Sequence, residues 1–260
     1  MKDFLLKRYP MAQLPLSRSV LAHVTRHRHG ERISWHQHHH GQLVLAINGV
    51  VRVLTPQRTW TLPQSRALWL PSDIDHELHA VGALELCNVS IEPEAFEWSW
   101  DAPLALSASP LLRELVLNLS AGGPNYLPSS QAALSAPLLI KVIAEAATLP
   151  ESGVPLPTDA RLVTICEHMM NDPGGDTPLD FWAARLGASD RTLARRFKEE
   201  TGMTFGLWRQ HLRVDEAITR LTLGQPLSRV ASDLGYSSAS AFIVMFRQIT
   251  GSPPQQYLAS

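Results

Sequence analysis

Apolar and polar positions change rhythm twice along this chain. From Leu21 to Ile91 the apolar residues come in short runs (GQLVLAINGVVRVL, RTWTLP, RALWLP, LELCNVSI), broken by Asn-Gly, Pro and Asp-rich turns. Runs this short, rich in Val, Leu, Ile and Trp, predict the strands of a small β-barrel or sandwich. After Pro110 the spacing becomes helical. Leu111–Leu119 and Ser130–Thr148 predict helices, the second with Leu138, Leu139, Val142, Ile143 and Ala146 on one face. Leu149–Thr158 (LPESGVPLPT), with three prolines and a glycine, predicts a linker. Everything after it is helical in pattern.

Within that last part, Ala184–Gly202 (ARLGASDRTLARRFKEETG) and Ser232–Gly251 (SDLGYSSASAFIVMFRQITG) are imperfect copies of one another. Each reads as a helix, a glycine-containing turn and a second helix that stops at glycine, which is a helix-turn-helix. In the first copy Thr177 is positioned to cap a helix at Pro178–Leu186, and Ser189 or Asp190 to cap the next. There Leu193 and Phe197 face a core, while Arg191, Arg195 and Lys198 form one stripe at i, i+4 and i+7, flanked by Thr192, Ala194 and Arg196. Such a stripe can meet guanine edges and phosphates, or it can be a solvated charged face; its place in a repeated helix-turn-helix favours DNA. The second copy keeps Phe242, Phe246 and Ile249 for the core, but its outer positions are Ser240, Val244 and Arg247. Ile243 and Val244 would then touch thymine methyl groups, with Ser237, Ser238 and Ser240 on phosphates or bases, or the helix merely packs. Phe205–Leu223, with Phe205, Trp208, Leu212, Ala217 and Leu221 as its buried side, predicts a joining helix of roughly 19 residues and about 28 Å, close to one turn of DNA.

Trp208, Leu212-Arg213, Ala217, Leu221, Val230-Ala231, Leu234-Gly235-Tyr236, Ser237-Ser238, Ala241-Phe242, Phe246-Arg247 and Gly251-Ser252-Pro253 resemble the signature of the AraC/XylS family of transcriptional regulators. The resemblance implies seven helices beginning near Asp159. It also implies base contact from Arg191, Thr192, Ala194 and Arg195, and in the second copy from Ala239, Ser240, Ile243 and Val244. Val244 stands where the family commonly has a basic residue.

The run His36-Gln37-His38-His39-His40-Gly41-Gln42 is the other chemically distinctive feature. On an extended strand His36 and His38 share a face, and converging neutral imidazoles are ligands for Zn, Ni, Fe or Mn. The spacing from Gly30 through His36, His38 and Gln42 to Gly49 resembles the first cupin motif, with Gln42 in place of its glutamate. Pro71, Asp73 and His76 resemble the second, with aspartate for its glycine and Ala80 where asparagine is common. Carried over by position, the set for one divalent metal is His36, His38 and His76, with Gln42 as a weak fourth ligand. Two other readings stay open: histidines lining a ligand pocket without metal, and a solvated histidine-rich turn, of which His39 and His40 fit best. Trp35, Leu43, Leu45 and Trp69 are the pocket candidates.

Composition adds limits rather than direction. From Thr177 onward ten Lys/Arg face seven Asp/Glu, against 13 and 17 before it, so the positive end carries the repeats but is not strongly basic. Cys87 and Cys166 are far apart and form no metal-type pair, which suits free thiols in a reducing cytoplasm, and no run is long enough to span a membrane. The expected fold class is α+β. Residues 1–100 form a cupin-like sensor, 101–149 a helical connector that pairs two copies, 150–158 a linker and 159–260 a double helix-turn-helix. The expected function is a non-enzymatic regulator of transcription, binding promoter DNA as a homodimer, answering to a small-molecule effector and meeting RNA polymerase. The competing reading is a cupin metalloenzyme with an accessory helical domain; the tandem repeat, the missing ligand carboxylate and the lack of an acid/base constellation weigh against it.

Overall fold

A computed structural model describes residues 16–149 and 152–259. The chain divides into two compact units, one from the segment up to Thr55 and Leu62–Ser152, the other from Pro56–Thr61 and Gly153–Ala259. Strands in chain order are β1 (Val20–His27), β2 (Arg32–His36), β3 (Gly41–Leu54), β4 (Arg58–Leu62), β5 (Arg66–Leu70), β6 (His76–Ile91), β7 (Leu104–Ser107) and β8 (Val154–Pro155).

The first unit is an antiparallel sheet built around the long β6. Strand β1 pairs with its second half, from Val20 opposite Ile91 to His27 opposite Leu84, and β2 pairs with its beginning. Strand β3 runs along it from Gly41 opposite Ile91 to Leu54 opposite Glu77, with bulges around Asn48. Strand β5 pairs with β3 and β7 pairs with β5. Because successive side chains on a strand alternate in direction, Leu43 and Leu45 share a face with their partners Trp69, Ala67, Val89 and Cys87, while Gln42 and Val44 share the opposite face with Leu70, Leu68 and Asn88.

Two helices, α1 (Pro110–Ala121) and α2 (Gln131–Ala144), cover the first of these faces. Helix α1 buries Leu112, Leu115, Val116 and Leu119, and α2 buries Ala132, Ala136, Leu139 and Ile143, in one cluster with Leu43, Leu45, Trp69, Cys87, Val89 and Ile91. Ser109 and Ser130 cap them by accepting from the amides of Leu112 and Ala133. Residues 101–149 are therefore not a separate connector: β7 extends the sheet and both helices close its core. The predicted face of the second helix holds at Leu139, Val142, Ile143 and Ala146 and fails at Leu138. Leu138 is 47% exposed, because the small Ala132 and Ala136 let the helix approach the core along the Leu139–Ile143 side.

The second unit contains α3 (Ala160–Asn171), α4 (Leu179–Leu186), α5 (Asp190–Thr201), α6 (Phe205–Thr222), α7 (Leu227–Asp233), α8 (Ala239–Thr250) and α9 (Pro254–Ala259). Asp159 is the N-cap of α3, and seven helices follow it among the described residues. The predicted linker is structured where it is described; Pro150 and Glu151 lie outside the described residues. Strand β8 pairs with β4, Val154 is buried among the helices, and the Pro155 carbonyl accepts from the Trp208 indole at 2.6 Å. A Pro/Gly-rich composition signals a break in periodicity; it does not exclude two residues of edge pairing. No helix among the described residues is long and apolar enough to cross a membrane.

Candidate metal centre and nucleic-acid interface

Three imidazoles converge in the first unit. His36, His38 and His76 are buried, and their ligand atoms all lie within 4.8 Å of one another. Nitrogens sharing one ion at about 2.1 Å each sit roughly 3–4 Å apart, so at most a small closure would seat a cation. His36 and His76 face each other where β2 pairs with β6, with ring centroids 4.2 Å apart. His38 arrives differently from the strand alternation expected of it. Strand β2 ends at His36, and His38 comes from the loop before β3. The amide of Asp73 donates to the His38 carbonyl at 2.8 Å, tying this loop to the turn before β6. Asp73, where the cupin motif has glycine, has a φ of 62°, a left-handed conformation that aspartate tolerates better than most residues.

Every ring of the triad is oriented by a backbone carbonyl. Nδ1 of His36 donates to Ser34 O at 2.7 Å, that of His38 to His40 O at 2.8 Å and that of His76 to Ile74 O at 2.8 Å. A carbonyl can only accept, so Nδ1 of each ring carries a proton and Nε2 is the nitrogen turned to its neighbours, the arrangement found behind metal-ligating histidines. Nε2 of His76 is buried and has no hydrogen-bond partner. Nε2 of His38 lies 2.5 Å from Gln42 Oε1, whose own amide nitrogen donates to Asn88 Oδ1 at 2.6 Å. A cation shared between this nitrogen and the Gln42 oxygen would suit both. Burial, then the charge of His36, pushes His76 down to about 3, and burial also lowers His36, so both are neutral ligands near neutral pH. The donor set therefore fits a divalent ion, and Gln42 presents oxygen toward it.

Asn88 belongs to this constellation although no motif pointed to it; its one signal was a polar residue inside the apolar run LELCNVSI. His40 also belongs nearer than expected, because its ring stacks on His38 at 4.2 Å and burial helps push it down to about 4. Three of the four pocket candidates do not join the triad. Leu43, Leu45 and Trp69 point under α1 and α2, since strand alternation sets them opposite Gln42. Trp35 is half-buried on β2.

In the second unit each helix-turn-helix is organised by the residues that its pattern suggested. Gly187 and Gly202 close α4 and α5 in left-handed conformation, and Gly251 closes α8. Ser189 caps α5 by accepting from Thr192 N, and Ser238 caps α8 by accepting from Ala241 N. Thr177 does not cap α4; Pro178 occupies that position without a side-chain bond. On α5, Leu193 and Phe197 are fully buried while Arg191, Ala194, Arg195 and Lys198 are exposed and Thr192 is half-buried. Arg195 holds Glu199 at 2.6 Å, an exposed pair weak enough to give way to a phosphate or base. On α8, Ser240, Val244 and Arg247 are exposed, Val244 at 68%, and Ala239 is half-buried. Ile243 differs from expectation, since it packs partly against the core beside the buried Met245.

Helix α6 carries both helix-turn-helix repeats. Trp208 and Leu212 enter the core of the first with Leu193 and Phe197, while Val214, Ala217 and Ile218 enter the core of the second with Phe242 and Phe246. At 100° per residue these two sets lie on opposite sides of one rod. With 18 residues it is about 27 Å long. A further tie was not legible in the sequence. Arg213 donates from α6 to the carbonyls of Pro173, Gly174 and Gly175 and lies over the Tyr236 ring at 5.5 Å. A Cβ on Gly174 would overlap the Asp233 carbonyl oxygen, so the loop before α4 packs directly on the end of α7.

Comparison with known proteins places both units. Residues 182–260 match the helix-turn-helix domain family, and residues 20–162 match the AraC-like ligand binding domain family. The HTH-type transcriptional regulator NimR of Escherichia coli (strain K12) is 34% identical over 227 residues, covering 86% of this chain and 81% of that protein. The HTH-type transcriptional activator RhaR of the same strain is 21% identical over 241 residues, covering 85% and 86%. Among solved structures, apo ToxT K231A from Vibrio cholerae is similar over 94% of this chain and 98% of that one, at 13% identity and a TM-score of 0.41.

Proposed function

The chain belongs to the AraC family of helix-turn-helix transcriptional regulators, and from that premise we propose how its two units divide the work. The protein is a ligand-modulated, DNA-binding regulator. Its second unit reads promoter DNA, with α5 supplying Arg191, Thr192, Ala194, Arg195 and Lys198 to bases and phosphates, and α8 supplying Ala239, Ser240, Val244 and Arg247 for apolar and backbone contact. The observation that carries this reading is the pair of helix-turn-helix units built on opposite sides of α6, about 27 Å long, against about 34 Å for one turn of DNA. The first unit binds a small-molecule effector together with one divalent ion of the Zn, Ni, Fe or Mn class, held by His36, His38 and His76 with Gln42 beside them. When bound, the ion would supply positive charge and Lewis acidity; the chain's part is to orient three imidazoles and shield them. The regulator works in the cytoplasm as a homodimer that meets RNA polymerase, without catalytic turnover.

The test is a mobility shift of DNA from upstream of the protein's own coding sequence, at moderate salt, with the ion content measured on the same preparation. A specific shift lost in Arg195→Ala supports the reading. Turnover of a small substrate with no DNA shift would reverse it in favour of a metalloenzyme.

A further inference from the structure

The triad differs from an ordinary metal centre in one respect, its charge. Three imidazoles and the amide of Gln42 bring nothing negative to a dication. Asp75 acts on His36 from the turn before β6 but stands outside the converging ligand atoms. Glu77, also buried, is engaged by His79 at 3.1 Å. No Lys or Arg is buried among the described residues. Val44, Leu68 and Leu70 share the Gln42 and Asn88 face, so water is a poor substitute for a counter-charge there. An uncompensated buried ion is strongly unfavourable.

Resting on the metal reading above, we infer that the loaded site is an anion receptor: Gln42, neutral where a carboxylate would complete the set, leaves a charge that a carboxylate-type effector would supply. Its charge would offset half or more of the ion's. Recognition is then conditional on metal, since no buried Lys or Arg among the described residues stands in for the ion. Asn88 sets the geometry by keeping the Gln42 oxygen turned toward His38.

The experiment uses the full chain loaded with Co2+, its stoichiometry measured by elemental analysis and its coordination followed by the visible d–d bands. Sodium azide and sodium acetate are titrated, with acetamide and sodium perchlorate at equal ionic strength as controls. Azide and acetate are expected to shift the bands saturably, acetamide and perchlorate to leave them alone, and metal-free protein to bind neither anion. Gln42→Glu supplies the missing charge within the chain. It should still take one Co2+ per chain and weaken the anions by roughly tenfold or more, as expected for removing a unit charge a few ångströms away. Bands indifferent to azide and acetate in protein carrying one Co2+, or unchanged anion affinity in Gln42→Glu, would overturn the inference while leaving the metal reading intact. Failure of the wild-type chain to take up Co2+ at all would overturn both.

Discussion

Replacing Arg213 with methionine should loosen the tie between the two helix-turn-helix units. The guanidinium donates to Pro173 O at 3.0 Å, and to Gly174 O and Gly175 O at 3.3 and 3.2 Å from a single nitrogen. A charged donor at good distance contributes about 1.5 kcal/mol net, and the two longer, shared bonds about 1 kcal/mol together. Stacking on Tyr236, at 5.5 Å, adds roughly 0.5 kcal/mol at a half-exposed site. Methionine keeps the aliphatic stem, so the expected loss is about 2–3 kcal/mol. Because the chain has two units, one global unfolding curve does not isolate it. Hydrogen exchange at the amides of α4 and α7 does, and both should exchange faster in the variant while β6 stays unchanged. Gly174→Ala attacks the same junction from the other side, by forcing the loop off the Asp233 carbonyl. The double variant should therefore lose less than the sum of the two singles. Affinity for a duplex carrying both half-sites should fall with either change, although neither residue lies on α5 or α8. Exchange in α4 and α7 within about 0.5 kcal/mol of wild type, or strictly additive losses, would refute the tie.

Three further outcomes are expected. Arg195→Ala should weaken specific DNA binding by about 1–3 kcal/mol and relax one base position, measured by fluorescence anisotropy on a set of mutated duplexes, while Val244→Ala should matter less; equal losses would contradict the division of labour between α5 and α8. Neither Cys87, pushed up to about 12 by burial, nor Cys166, which burial also raises, should react with a disulfide reagent in the native chain at neutral pH; both should react once guanidinium unfolds it, and prompt native labelling would show the cores to be open. The Arg161 side chain holds Asp159 down to about 2 from 3.8, so its contribution is present above about pH 4 and lost as pH falls toward 2; Asp159→Asn keeps an N-cap, and should flatten that part of the acid dependence of α3 amide exchange, whereas parallel wild-type and variant profiles would rule the linkage out.

Much of the second unit was legible because its signals are local. A serine three residues before the amide it caps, a glycine at a left-handed stop and apolar residues four apart are all relations within one or two turns of helix. Those relations settle helix ends and core faces before any partner is known. What they missed is correspondingly non-local: Arg213 reaches carbonyls some 40 residues back in the chain, and Ile243 is drawn partly inward by the core around Phe242 and Phe246. The two faces of α6 were likewise merged into one, because a periodicity of 3.6 identifies an apolar face without saying that two different cores claim two halves of the rod.

In the first unit the division falls elsewhere. Residue identities and spacing alone determined that three histidines and a glutamine were available as ligands, and that positions two apart on β3 would share a face. Alternation has no sign, however. Only the pairing of β3 with β5 and β6, under α1 and α2, decided that Leu43, Leu45 and Trp69 turn to the helices while Gln42 turns to the histidines. The same long-range pairing brought Asn88 to Gln42 and set His76 opposite His36 across a distance of 40 positions. Short-range pattern is written by the geometry of a single helix or strand; which side is inside depends on what the rest of the chain lays against it.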